Sequence, residues 1–227
     1  MRSFENREMA GRLLAARLAL RAPLRPVVYA LPRGGVPVAI EIAKRLNAPL
    51  DLLLVRKIGV PGQPELAAGA VVDGERPVII LNEDICRAAG LAESEVASLG
   101  AAELKEIERR RALYLPGKDP VPALGRTAIL VDDGVATGAS MEAAIAAVRR
   151  RAPDQIIVAV PVAARSSAAV LQGLVDEVLF LNIPESFDAV GEFYRDFHQL
   201  DDKEVIAALA NVPSESVDAK LSLTGRS

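Results

Sequence analysis

The thirteen residues from Ala128 to Ser140, AILVDDGVATGAS, carry the densest chemistry in this chain. Four apolar residues run into two adjacent carboxylates, Asp132 and Asp133, and small residues then lead to Met141, Ile145 and Val148 at helical spacing. That order reads as strand, acidic turn, anion cradle and helix. Small side chains at Gly134, Ala136, Gly138 and Ala139 let backbone N–H groups approach an anion, and Thr137 and Ser140 add hydroxyl donors at a positive helix start. With Val135 these residues form one continuous cradle. The carboxylates would repel a bare phosphate, so the ligand must also present hydroxyls or a divalent cation. A ribose 5-phosphate does both: its phosphate sits on the helix start and its 2′ and 3′ hydroxyls donate to Asp132 and Asp133. The competing reading is a helix N-cap whose acids complement the dipole with no ligand at all. No Walker A loop, no GxGxxG after a strand and no GxSxG elbow occurs.

The elements that must hold this string follow an alternating rhythm. After Pro26, short β-prone runs alternate with alanine-rich helical stretches, as in a parallel sheet with helices on its faces. Strands are expected at about Val27–Leu31, Leu52–Arg56, Thr127–Asp132, Ile156–Pro161 and Glu177–Asn182. Val38, Ile42 and Leu46 mark one amphipathic helix and Met141, Ile145 and Val148 another. A leading helix carries Met9, Leu13, Ala16 and Leu20 as its inward stripe. Between the second and third core strands lies an excursion from Lys57 to about Arg126. Its first part suggests a loop and a hairpin around Asp73-Gly74. Its second part, Glu93 to Tyr114, is charged and helical, with an i,i+4 pair between Glu106 and Arg110 and the Arg109–Arg111 run on a solvated face. The domain is expected over residues 1–211, and the aperiodic tail 212–227 is expected to be loose.

Composition narrows the function classes. The 227 residues suffice for a real core, since folding at this size buries roughly 70% of the unfolded surface. A net charge of −3 and a pI near 5.4 argue against gripping nucleic acid or anionic lipid by bulk charge. No apolar run reaches the 18 or so residues of a membrane span. One cysteine, Cys86, and one histidine, His198, exclude an internal disulfide and a structural zinc site, and point to a cytoplasmic location. Cys86 reads as an ordinary thiol and His198 as a surface residue.

AILVDDGVATGAS closely resembles the phosphoribosyl pyrophosphate motif of type I phosphoribosyltransferases, and LPRGG at Leu31–Gly35 is similar to their pyrophosphate loop. RKIGVPGQPELAAGAVV from Arg56 resembles their mobile loop and hairpin, and the chain from Phe4 to about Leu209 looks like a bacterial group of such proteins. Gly134 departs from the motif, where many members carry a branched residue, and is expected to loosen the turn. The resemblance implies an α/β fold, a Rossmann-like parallel sheet flanked by helices with a small C-terminal hood at about 182–200. It also implies a reaction: displacement of pyrophosphate from C1 of phosphoribosyl pyrophosphate by a nitrogenous base or related acceptor, with Mg²⁺ as cofactor, in a homodimer.

On that resemblance Asp132 and Asp133 orient the ribose and hold Mg²⁺ mainly through substrate and water. Arg33 and Lys57 receive the pyrophosphate, with the amides of Gly34 and Gly35 facing it, and residues 134–140 hold the 5′-phosphate. For LPRGG the competing reading is a turn capping the next helix, and for Lys57 a solvated surface lysine. Such loops often contain a cis non-proline peptide. Gly59, Pro61, Gly62 and Pro64 describe a segment able to close over the ligand, excluding water from an oxocarbenium-like transition state. Glu65 is a candidate to act on the incoming nucleophile, against a plain exposed carboxylate. Five of the eight aromatic residues, Phe180, Phe187, Phe193, Tyr194 and Phe197, gather where the hood belongs, either to stack on a base or to pack the hood. Two other functions fit the same cradle: a non-catalytic sensor of phosphoribosyl pyrophosphate or nucleotide, and a nucleotide or ribose-phosphate hydrolase or phosphorylase. Retention of Arg33, Lys57 and the pyrophosphate loop favours the transferase.

Overall fold

A computed structural model describes residues 4–74 and 77–210, with the side chains of Pro64 and Glu65 left undescribed. The tail expected to be loose lies outside these residues, and the Glu65 carboxylate considered above lies outside what is described as well. Five strands, β1 (Pro26–Ala30), β2 (Leu50–Leu52), β6 (Thr127–Val131), β7 (Gln155–Val162) and β8 (Glu177–Asn182), form a parallel sheet in the order β2-β1-β6-β7-β8. Their side chains alternate between two faces and both faces are dry. Val28, Ala30, Ile129 and Val131 meet Leu14 and Leu18 of α1 (Arg7–Ala19) and Val38 and Ile42 of α2 (Gly35–Leu46). Val27, Tyr29, Ala128 and Leu130 meet Met141, Ile145 and Val148 of α5 (Ala139–Arg149). Helix α6 (Arg165–Leu174) joins β7 to β8.

The register places the chemistry. Ala30 pairs with Val131, so the segments that follow β1 and β6 leave the sheet side by side. The strand order reverses between these two strands, which is where open α/β sheets leave a crevice for ligands at their carboxyl ends.

The excursion forms a second layer of structure. Strands β3 (Val55–Val60), β4 (Gln63–Val72) and β5 (Val78–Leu81) make an antiparallel sheet, followed by α3 (Glu83–Ala89) and α4 (Glu93–Tyr114). The expected hairpin around Asp73-Gly74 is the β4–β5 connection. The expected single strand Leu52–Arg56 is instead two strands in two sheets, because the chain leaves the parallel sheet at Leu53 and Leu54, both of which stay buried. The unbroken apolar run concealed that break. The segment expected to close over a ligand is the β3–β4 hairpin, turning at Pro61-Gly62 with Gly62 at φ +80°. Any closure would move a paired hairpin.

Two side-chain expectations are overturned. In α1 the buried face is Ala10, Gly11, Leu14, Ala15 and Leu18, whereas Leu13 is 42% and Leu20 85% exposed. Apolar residues occur on adjacent faces of this helix, and close crossing with α2 selects the face with small residues: a Cβ on Gly11 would lie 2.7 Å from the Val38 carbonyl oxygen. In α4, Glu106 does bind Arg110, and also Arg109, but Arg111 is not solvated. Its guanidinium turns inward to Asp51 at 2.9 Å and Asp73 at 2.7 Å, carboxylates that no local pattern places beneath it.

After β8 the chain forms the hood, with a short 3₁₀ turn at Val190–Phe193, and then α7 (Asp202–Ala210). The hood is tied to the first described residues: Phe4 N–H donates to Phe193 O at 2.9 Å and Arg195 N–H to Phe4 O at 2.9 Å. The hood aromatics pack largely on each other. Phe187 stacks on Phe193, Tyr194 on Phe197, and Phe4 tilts against Tyr194.

Candidate functional site

The loop after β1 is seated directly on the acidic turn after β6. Leu31 N–H donates to Val131 O at 2.9 Å, and the Pro32–Arg33 peptide is cis, as in the loops this segment resembles. Side chains on either glycine would prevent the seating: a Cβ on Gly34 would fall 2.0 Å from Asp133 Oδ2, and one on Gly35 2.6 Å from Val131 O. The Gly35 amide, expected to face a ligand, donates instead to Leu31 O at 3.0 Å as α2 begins. Arg33 lies at the edge of the loop, 3.7 Å from Asp202.

Asp132 accepts the Asp133 N–H at 2.8 Å. Burial, and then the neighbouring Asp133 charge, push the Asp132 carboxyl well above the usual carboxylate range. Burial also raises Asp133, against the opposing pull of Arg7, whose Nε donates to Asp133 Oδ2 at 2.8 Å. Tyr194 OH donates to Asp133 O at 2.6 Å, fixing the turn from the hood side.

The cradle is pinned on both flanks. Val135 N–H donates to Val162 O and its carbonyl accepts from Ala164 N–H, each at 2.9 Å, while Ser167 Oγ donates to Ala136 O at 2.5 Å. Gly138 takes a left-handed conformation (φ +85°) that favours glycine, and α5 starts at once. Ala139 and Ser140 thus lie in a first turn whose amides have no intrahelical acceptor. Among the described residues the amides of Ala136, Thr137, Gly138, Ala139 and Ser140 meet no protein acceptor. Thr137 is exposed and Ser140 half-buried, so the cradle opens to solvent.

Gly134 has a different reason from the one expected. A Cβ there would fall 2.5 Å from Val190 Cγ1 and 3.0 Å from Val162 Cγ1, so the glycine lets the hood close down on the turn. Gly134→Ala should destabilise the fold by about 1–3 kcal/mol through overpacking, measured by urea unfolding. Adding Val190→Ala should restore most of that loss; no restoration would place the clash elsewhere.

The predicted site residues do not all meet. Arg33, Gly34 and Asp133 line a cavity of about 440 Å³ with Arg7, Phe197 and Gln199. Lys57 is exposed on β3 and lines a different cavity of about 470 Å³, with Ala139, Glu142 and Asn82. Sequence reasoning missed Arg7, Ser167 and the Tyr194 hydroxyl. Each acts on a residue far from it in sequence, and no local spacing marks them. His198 is half exposed between Glu204 (2.8 Å) and Asp196 (3.2 Å), both of which raise its pKa. Cys86 is buried, with Sγ 3.1 Å from Ala68 O.

The profile of the phosphoribosyl transferase domain matches residues 118–198, the span holding the acidic turn, the cradle and most of the hood. A Mycobacterium tuberculosis protein, Rv0571c, which carries a provisional phosphoribosyl transferase name, is 45% identical over 219 residues. The crystal structure of the Thermus thermophilus protein TT1426 is 41% identical, covers 93% of this chain and 100% of that one, and superposes with a TM-score of 0.82. This chain belongs to the phosphoribosyltransferase family. The fold is accordingly the expected α/β one, a five-stranded parallel sheet flanked by helices, and it is shared with TT1426. The match to Rv0571c takes in 96% of this phosphoribosyltransferase-family chain but only 49% of the relative, so the chain spans about half the length of the curated relatives it matches. Among the described residues no helix is long and apolar enough to cross a membrane.

Proposed function

We propose that this chain binds phosphoribosyl pyrophosphate with Mg²⁺ and transfers the phosphoribosyl group to a nitrogenous base or related acceptor. The observation that carries the reading is the seating of the Arg33–Gly35 loop against Asp133 at the switch point of the sheet, beside a cradle of free amides. One end of the ligand is anionic, its middle is a diol, and its other end is anionic again; the site presents amides, carboxylates and a guanidinium in that order.

Ala136 to Ser140 hold the 5′-phosphate, and Asp132 and Asp133 accept the ribose hydroxyls. The acceptor nitrogen attacks C1, the bond from C1 to the pyrophosphate oxygen breaks, and pyrophosphate leaves with the bonding pair while the acceptor proton passes to solvent. Rate acceleration rests on positioning and on charge stabilisation rather than on a protein nucleophile. Among the described residues no three ligand-type side chains gather, so Asp132 and Asp133 would hold Mg²⁺ together with substrate and water oxygens, a donor set that suits this ion. When bound, Mg²⁺ supplies charge neutralisation to the leaving group. Lys57 is the cation on the α5 side of the site. The acidic balance fits small-molecule rather than nucleic-acid partners, a homodimer is the expected assembly, and a lone buried thiol suits a reducing cytoplasm.

Titration calorimetry with phosphoribosyl pyrophosphate and Mg²⁺, followed by pyrophosphate release across a panel of bases, tests the proposal. Binding in the micromolar to millimolar range is expected from three or four charge-assisted bonds of roughly 1.5–3 kcal/mol each, less the ordering costs. Absence of binding would remove the proposal, and binding without turnover on any acceptor would replace it by ligand sensing.

A further inference from the structure

Arg7 is the most buried arginine tied to the site, with a side chain 8% exposed. Its Nε reaches Asp133 Oδ2 at 2.8 Å, its Nη1 reaches His198 O at 3.0 Å, and its guanidinium lies 3.9 Å from the centre of the Phe197 ring. Burying a guanidinium is costly unless its donors are used. Two of its nitrogens are, and among the described residues Nη2 donates to no protein acceptor. Arg33 borders the same cavity from the β1 loop, and among the described residues its guanidinium is met only by Asp202 at 3.7 Å, beyond hydrogen-bond distance. Asp202 is already engaged by Tyr114 OH at 2.6 Å.

Two guanidiniums with donors to spare therefore face one cavity whose lining includes a single acid, Asp133, and that acid is neutralised by Arg7. A planar fork is suited to bidentate contact with an oxyanion, and stacking on Phe197 fixes its plane in advance. We propose that Arg7 and Arg33 together form an oxyanion subsite that receives the pyrophosphate end of the donor, with Arg7 as a substrate-binding residue. This rests on the reading of the site as a phosphoribosyl pyrophosphate site. It assigns the second cation at the leaving group to the first turn of α1, whereas Lys57 lines the other cavity. It also gives the tie between hood and acidic turn a chemical role, since Arg7 contacts Asp133 and the hood at once.

The test is calorimetry with inorganic pyrophosphate, ribose 5-phosphate and phosphoribosyl pyrophosphate, with and without Mg²⁺, on wild type, Arg7→Gln, Arg7→Lys and Arg33→Gln. Arg7→Gln and Arg33→Gln should each weaken pyrophosphate at least tenfold, and Arg7→Lys, which keeps the charge but not the fork, should fall between wild type and Arg7→Gln. If Arg7 serves only to hold Asp133, Arg7→Gln weakens ribose 5-phosphate and leaves pyrophosphate unmoved, and the inference is overturned. Should Arg7→Gln fail to fold, pyrophosphate affinity unchanged in both Arg7→Lys and Arg33→Gln overturns it equally. The same forks could take a carboxylate on an acceptor, so orotate and uracil form a further arm; preference for orotate without pyrophosphate binding also overturns the assignment. Wild type binding phosphoribosyl pyrophosphate undiminished by any of these variants would sink this inference alone, whereas no binding by wild type would sink the function beneath it.

Discussion

Asp132→Asn combined with Asp133→Asn should weaken ribose 5-phosphate and phosphoribosyl pyrophosphate binding by about 10²–10⁴-fold, with the melting temperature shifting by only a few degrees. The affinity loss follows from removing two charged acceptors, each worth roughly 1.5–3 kcal/mol to a sugar hydroxyl. The small stability change follows from opposing effects. Both carboxyls are pushed upward by burial, and Asp132 additionally by Asp133, so their ionised forms strain the free protein. Amides relieve that strain, while loss of the Asp133 carboxylate removes the partner of Arg7 at 2.8 Å. The raised pKa values also set a sign for pH: the ionised forms accept the diol, so affinity should fall on acidification at a higher pH than for ordinary carboxylates. Calorimetry across pH beside thermal melts reads both effects. Affinity within threefold of wild type in the double variant would detach the acidic turn from the ligand.

The core of this fold is legible because its signals are local. The strand expected at Thr127–Asp132 ends one residue earlier at Val131, the Met141, Ile145 and Val148 stripe marks α5, and the acidic turn between them joins two carboxylates to a run of small residues. The expected β8 bounds coincide with those observed because Glu177 and Asn182 flank an apolar run cleanly. Signals failed wherever tertiary partners decide. The excursion's first strand reads as one with a core strand because LDLLLV is apolar almost throughout, and only pairing separates β2 from β3. The α1 face depended on how closely α2 could approach Gly11. Arg7 and Arg111 both look like surface arginines of charged helices, and both are drawn inward by carboxylates 126 and 38 to 60 positions away. In each case the arginine's long stem hides its destination from any short-range pattern. The cation that meets Asp133 required the fold.

Arg111→Ala should destabilise the protein by about 3–5 kcal/mol, a large part of the roughly 5–15 kcal/mol that holds a domain folded. Arg111 donates to Asp51 of β2 and to Asp73 just after β4, and so joins α4 and the antiparallel sheet to the parallel core. Asp51 is only 3% and Asp73 1% exposed, so removing the guanidinium leaves two carboxylates that water cannot reach. Asp73 makes the loss dependent on pH. Burial raises its pKa to about 6 even with Arg111 opposing the shift. Because the folded chain binds this proton more tightly than the unfolded chain, the group's contribution to stability is full below about 4 and is lost as pH rises through about 6. Without Arg111 the upward shift grows, since its largest opposing cause is gone. The deficit of Arg111→Ala relative to wild type should therefore be greatest at pH 8 and shrink towards pH 5, where Asp73 takes up its proton. Urea unfolding of both proteins at the two pH values measures this directly. A deficit below about 1 kcal/mol, or one that widens on acidification, would mean that the buried carboxylates find another partner when the guanidinium is absent.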